Sequence, residues 1–396
     1  MATTLDAVAR SGAVTIGIVA GEASGDALGA TLIAAVRARL PHARFVGIAG
    51  PRMQAAGAEA WYPIEKLSVR GFSEVVGRVP ELVRIRRGLA ARLVASRVPL
   101  FVGVDAPDFN LGLERRLKRA GVRTIHFVSP SVWAWRRERV RRIARSVDRM
   151  LALFPFEPPI YEASGVPVSF VGHPLAHGAA TLGSRRAARE QLKLGATQPV
   201  FALLPGSRDS EIEMHGDLVL RTAALLHEIR PEARFLVPLA TRPTRDRFEA
   251  AIYRLGLDKL PLTLLYGHAT DALRAADVAL VASGTATLEA ALARCPHVIF
   301  YRVSPLTARI VRRKLLVPWV GLPNVLAGRF VVPELLQEDA TVENLAQAAL
   351  NLYDDTVTRR RLEALFAGFA AALRTDTGGL AADAVLTELR IGGCAC

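Results

Sequence analysis

Short apolar runs recur along this chain, separated by longer helix-like stretches, and that alternation restricts its fold more than any other feature. A strand, a helix and another strand close a sheet through crossovers, so the strands run parallel. The first half offers strands at residues 14–20, 44–48, 100–104, 124–128, 150–154 and 168–171. A Pro- and Gly-rich passage from Gly172-His173-Pro174 to Gly183 then interrupts the pattern, and a charged helix follows at 185–193. Strands resume at 200–204, 234–238, 262–265, 278–281 and 297–300. After Glu334 the pattern is mainly helical, with no further strand expected.

The expectation is an α/β chain of two Rossmann-like, doubly wound domains facing a central cleft. The boundaries are 1–175, a linker at 176–196, and 197–396, whose last helices pack on the second domain or back on the first. Ligands of such sheets bind at the carboxyl ends of the strands, so the loops there carry the functional reading.

Size and composition agree. At 396 residues the chain exceeds one ordinary core, and 51% hydrophobic with 22% charged residues is a globular balance. An excess of 51 Lys and Arg over 37 Asp and Glu gives +14 at pH 7, which favours anionic partners: nucleic acid, acidic lipid or phosphorylated substrate. Three cysteines, two of them Cys394 and Cys396 in the tail, make no disulfide or metal framework, so a reducing compartment is expected. The apolar run at 14–20 ends in Gly21-Glu22 and reads as a first strand, not a signal peptide. No apolar stretch reaches the roughly 20 residues that cross a bilayer. A cytoplasmic chain that can sit on a membrane surface is expected.

Two loops point to a phosphate. Leu204-Pro205-Gly206-Ser207-Arg208 breaks from an apolar strand; the glycine admits close approach of backbone amides, Ser207 adds a hydroxyl and Arg208 a planar fork. A simple turn explains that loop alone equally well. Ser283-Gly284-Thr285-Ala286-Thr287-Leu288-Glu289 repeats the strand-to-helix break, with small residues where a helix N-terminus can face an anion. Glu289, further into that helix, suits a pair of ribose hydroxyls. Together the two loops favour a nucleotide.

Acidic loops mark the first half. Gly21-Glu22-Ala23-Ser24-Gly25-Asp26 is neither a dinucleotide fingerprint nor a P-loop, and Glu22 with Asp26 suits hydroxyl groups, or a capped helix start. Asp105-Ala106-Pro107-Asp108-Phe109-Asn110 follows a strand; a carboxylate there can take a proton as general base, or simply begin a turn. Trp133 and Trp135, leading into an arginine-rich helix, fit a nucleic acid, an anionic lipid or a phosphorylated acceptor, although a solvated helix accounts for most of the arginines. Arg70, Phe72, Arg84, Arg86 and Arg87 have the composition of an interfacial segment, and core packing explains the apolar positions as well.

In order along the chain stand Ala20-Gly21-Glu22-Ala23-Ser24-Gly25-Asp26, Gly50-Pro51-Arg52-Met53, Asp105-Ala106-Pro107-Asp108-Phe109-Asn110, Ser129-Pro130-Ser131-Val132-Trp133-Ala134-Trp135, Gly172-His173-Pro174-Leu175, Leu204-Pro205-Gly206-Ser207-Arg208, Ser283-Gly284-Thr285 and Leu322-Pro323-Asn324-Val325-Leu326-Ala327-Gly328. This series closely resembles the lipid-A-disaccharide synthases, over nearly the whole chain. One departure is Ala176-His177, where the family usually has an acidic residue.

The resemblance implies a GT-B glycosyltransferase that inverts without metal or cofactor. Its donor would be UDP-2,3-diacylglucosamine and its acceptor 2,3-diacylglucosamine 1-phosphate (lipid X). It would work peripherally on the anionic cytoplasmic face of the inner membrane, with no nucleic-acid partner; the oligomeric state stays open. By the same resemblance Asp105 is the base with Glu22 beside it. Gly206, Ser207, Arg208, Ser283, Gly284, Thr285, Glu289 and Asn324 hold UDP. Asp26, Arg70, Phe72, Arg84, Arg86, Arg87, Trp133 and Trp135 belong to the acceptor or membrane face. The Ser-Val-Trp-Ala-Trp and Asp-Ala-Pro-Asp-Phe-Asn pieces argue against a peptidoglycan N-acetylglucosaminyltransferase or a UDP-sugar epimerase.

Overall fold

A computed structural model describes residues 14–67, 72–133, 139–180, 183–304, 309 and 317–393. The chain forms two compact units: Met1–Pro174 with Leu373–Cys396, and Leu175–Ala372.

The first unit holds β1 (Thr15–Ala20), β2 (Arg44–Ala49), β3 (Ala58–Pro63), β4 (Leu100–Val104), β5 (Arg123–Phe127), β6 (Arg149–Ala152) and β7 (Val168–Phe170). They lie in the order β3-β2-β1-β4-β5-β6-β7, and every pairing is parallel. The chain runs outward from β1, then returns to lay β4 beside it. That return is the topological switch point, where strand ends splay and open a crevice. Central strands of a parallel sheet are covered on both faces, so they read as continuous apolar runs. All five residues of β4 are buried.

The second unit holds β8 (Val200–Leu204), β9 (Arg234–Leu239), β10 (Leu262–Tyr266), β11 (Val278–Ala282), β12 (His297–Tyr301) and β13 (Glu334–Leu336). Their order is β10-β9-β8-β11-β12-β13, again parallel throughout, with the switch point between β8 and β11. Both of those strands are buried along their full length.

The sequence pattern misses β3 and β13. Both are edge strands, and neither has a buried residue. β3 carries Glu59 and ends on Pro63, and β13 opens on Glu334, so neither shows an apolar run, whereas the other edge strands, β7 and β10, are found although they too have no buried residue. The expected linker is also revised, because residues 176–196 fall within the second unit. Arg189 of helix Arg185–Gln191 is buried there, with its guanidinium on Asp277 at 2.8 Å and on the carbonyls of Ala275 and Ala196. Of the last helices, Val342–Asp354 packs in the second unit, whereas Thr377–Gly393 packs on helix Ala23–Arg39 of the first. Ala382, Val385 and Leu389 enter the first core, and buried Glu388 is paired by Arg149 at 2.9 Å and by Arg123. Among the described residues no helix is long and apolar enough to cross a membrane.

Candidate active site

In the second unit the two phosphate-type loops leave neighbouring strands at the same level, since Leu204 pairs with Val281. Gly206, Ser207, Arg208, Ser283, Gly284, Thr285 and Glu289 line a single cavity of about 370 Å³, together with Glu211, Tyr301, Ala240 and Gly267. Gly206 has φ +133°, and a Cβ on it would stand 2.4 Å from that of Glu211, so conformation and space both require glycine.

Glu211 changes what the loop offers. It is the third residue of helix Asp209–Ile229, and its Oε2 accepts from the amides of Ser207 (2.8 Å) and Arg208 (3.2 Å). Its Oε1 accepts from the Tyr301 hydroxyl at 3.3 Å. The amides expected to meet phosphate are therefore occupied by a capping carboxylate. What remains is the Ser207 hydroxyl and the Arg208 guanidinium, which is 70% exposed and 3.6 Å from Glu211. Opposite, Gly284 caps helix Thr285–Leu292, whose first-turn amides lack partners within an α-helix apart from that of Thr287, which donates to the Gly284 carbonyl at 3.1 Å. Those amides and Arg208 form the positive pole of the cavity. A glutamate three residues after a helix start is the known capping pattern, so Glu211 had a readable signal that the phosphate reading overlooked.

Glu289 is half-buried, and desolvation raises its carboxyl pKa. No described side chain bonds to it. A half-buried carboxylate facing a cavity without side-chain partners is suited to vicinal hydroxyls.

Asn324 does not line this cavity. Its amide nitrogen donates to the Val332 carbonyl (2.9 Å) and to Glu334 (2.7 Å), and its oxygen accepts from the amides of Val331 and Val332. In this structure its side-chain bonds all serve the 320–334 loop. Asp26 is likewise engaged within its own unit. It is buried, and its carboxylate caps helix Pro51–Ala55 by accepting from the amides of Gly50 (3.0 Å), Arg52 (2.9 Å) and Met53 (3.1 Å). These bonds account for the Gly50-Pro51-Arg52-Met53 motif.

In the first unit Glu22 and Asp105 also flank the switch point, because Ala20 pairs with Val104. Glu22 is exposed at the start of helix Ala23–Arg39. The two turns touch: a Cβ on Gly21 would stand 2.5 Å from that of Ala106. Asp105 is half-buried, with φ +53°, and Ala106 follows at φ +44°. Two successive left-handed residues other than glycine cost about 1–3 kcal/mol each, and such strain gathers at functional sites. Asp108, one turn on, is 89% exposed and pairs with Arg139 at 3.2 Å.

Of the residues expected on the acceptor or membrane face, Arg84 and Arg87 are exposed on helix Phe72–Ala95. Arg86 is half-buried against helix Pro107–Arg119, where desolvation, then Arg116 and Arg87, lower its pKa. Trp133 packs edge-on to Phe156 with centroids 5.4 Å apart. Arg70, Trp135, the side chain of Phe72, Cys394 and Cys396 lie outside the described residues. Among the described residues no group of three or more His, Cys, Asp or Glu converges as metal ligands would.

The model of the lipid-A-disaccharide synthetase family matches residues 16–377. The chain belongs to that family. It is 54% identical over 381 residues to the lipid-A-disaccharide synthase of Chromobacterium violaceum, covering 96% of this chain and 99% of that one. Against the synthase of Neisseria meningitidis serogroup C it is 51% identical, covering 96% and 98%. Its activity is therefore that of the family, lipid A disaccharide synthesis by a glycosyltransferase. Among solved structures it is similar to Anabaena HepE in complex with UDP and glucose (TM-score 0.54, 14% identity, 94% and 98% of the two chains). It is also similar to a UDP-GlcNAc 2-epimerase from Neisseria meningitidis bound to UDP-GlcNAc (TM-score 0.57, 12% identity, 95% and 98%). Those likenesses are of fold, GT-B with two Rossmann-like domains.

Proposed function

We propose that the enzyme moves 2,3-diacylglucosamine from UDP-2,3-diacylglucosamine to the 6-hydroxyl of lipid X in one inverting, metal-independent displacement. Asp105 takes the proton of the 6-hydroxyl as its oxygen attacks the anomeric carbon. The bond from that carbon to the diphosphate breaks, and UDP leaves with the electron pair. Arg208, Ser207 and the N-terminus of helix Thr285–Leu292 stabilise the charge gathering on the diphosphate. Glu289 accepts from the ribose hydroxyls and sets the nucleotide's register, while Glu22 stands beside the base.

The observation that carries this reading is the cavity that gathers Arg208, the Gly284 helix start and Glu289, which has no side-chain partner among the described residues. A positive pole and a half-buried hydroxyl acceptor within one cavity match a nucleoside diphosphate. The net charge of +14 and the exposed Arg84 and Arg87 support peripheral attachment to an anionic surface, which we assign to the cytoplasmic face of the inner membrane. The test is UDP release in mixed micelles. Release that requires lipid X is expected, and equal release without an acceptor would overturn the assignment.

A further inference from the structure

Asn110 closes the motif that begins at Asp105, and nothing above uses it. It is fully buried in the first turns of helix Pro107–Arg119, under the strained turn. Its amide nitrogen donates to the Asp105 carbonyl at 2.8 Å and lies 3.4 Å from the carbonyls of Val104 and Val19. Val104 is the last residue of β4 and Val19 the last but one of β1, the strands that lead into Asp105 and, after Gly21, Glu22. One side chain thus ties both strand ends at the switch point.

The surroundings explain why an amide is retained. Four residues on, Glu114 is fully buried and meets buried His126 of β5 at 2.7 Å. Oδ1 of Asn110, Oε2 of Glu114 and Nε2 of His126 have no partner among the described residues. A purely structural filler would be apolar here, since orphaned buried polar atoms are destabilising. The retained donor is aimed at the one carbonyl whose residue has a left-handed backbone, with no glycine to make that conformation easy.

We propose that Asn110 is a positioning residue for the transfer: by holding the Asp105 carbonyl it keeps the 105–106 turn left-handed and so aims the Asp105 carboxylate. This rests on Asp105 being the base. Asn110 touches neither substrate, so its effect belongs in kcat and not in nucleotide binding.

A double-mutant cycle tests it on the full-length enzyme, with UDP-2,3-diacylglucosamine and lipid X in mixed micelles. Asn110→Ala should lower kcat about 10- to 100-fold while KM for the donor and the affinity for UDP stay within about twofold. Placed in Asp105→Asn, it should lower kcat by no more than about a further twofold, because the group it aims is already disabled. Asn110→Ser, which retains a donor, should fall between wild type and Asn110→Ala, and it replaces Asn110→Ala in the cycle if that variant folds poorly. Multiplying losses in the double mutant would make Asn110 a stability residue and overturn the proposal. So would an Asn110→Ala enzyme with wild-type kcat beside an inactive Asp105→Asn. Full turnover in Asp105→Asn is a different result: it removes the base assignment, and this inference falls with it.

Discussion

The two sheets are wound alike and placed in opposite electrostatic service. In the first unit the switch point between β1 and β4 presents carboxylates, Glu22 and Asp105, on turns that touch through Gly21 and Ala106. In the second, the equivalent point between β8 and β11 presents a guanidinium, hydroxyls and a helix N-terminus. The comparison teaches that topology decides where a site lies, while the few residues just past each strand decide its sign. A transfer that deprotonates one partner and releases an anion from the other needs one pole of each sign.

If the poles are independent, damage to one should leave the other's measurement untouched. The largest effect is expected from Asp105→Asn. It should lower kcat by roughly 10²–10⁴-fold, the usual worth of a general base, with UDP affinity by calorimetry unchanged. A matching loss of UDP affinity would break the division. Arg208→Ala comes next, weakening UDP binding by about 1.5–3 kcal/mol, the range for hydrogen bonds to charged groups. Because Glu211 already occupies the neighbouring amides, unchanged UDP affinity in this variant would move the anion wholly onto the Gly284 helix.

Glu289→Gln should show the smallest effect, about 1 kcal/mol on UDP and little on 2′-deoxy-UDP. In the wild-type enzyme the pH dependence has a definite sign. Burial holds the Glu289 carboxyl above the usual range, so it takes up a proton before an exposed glutamate does as pH falls. The preference for UDP over 2′-deoxy-UDP should therefore shrink on acidification. Taking the ratio of the two ligands cancels the titration of their phosphates. A preference that is flat with pH in the wild type and intact in Glu289→Gln would remove Glu289 from the ribose.

Legibility was uneven for physical reasons. The buried central strands were plain because coverage on both faces demands unbroken apolar runs. The edge strands β3 and β13 were not, because Glu59 and Pro63 in the one and Glu334 in the other break the apolar pattern. Glycine, serine and arginine directly after a strand were legible as a candidate loop, since their order is local, but the capture of its amides by Glu211 was not read. The partners of Asp26 and Asn324 were not legible, because what occupies a polar side chain is a non-local question. Asp26 is used by a helix that begins at Pro51, and Asn324 by a loop reaching Glu334.

The sequence by itself determined the class of fold, the two halves and membership of the family, and it named candidate loops. Those follow from periodicity and short motifs, which neighbours along the chain suffice to define. Only the tertiary structure decided which polar groups remain available. It laid β4 beside β1 and β11 beside β8, gave the Ser207 and Arg208 amides to Glu211, and left Glu289 without a side-chain partner among the described residues. It also folded the last helix onto the first unit and set Asn110 beneath the strained turn at Asp105. Each of these is a matter of hydrogen bonds and burial between residues far apart in the chain, settled only when the strands are in place.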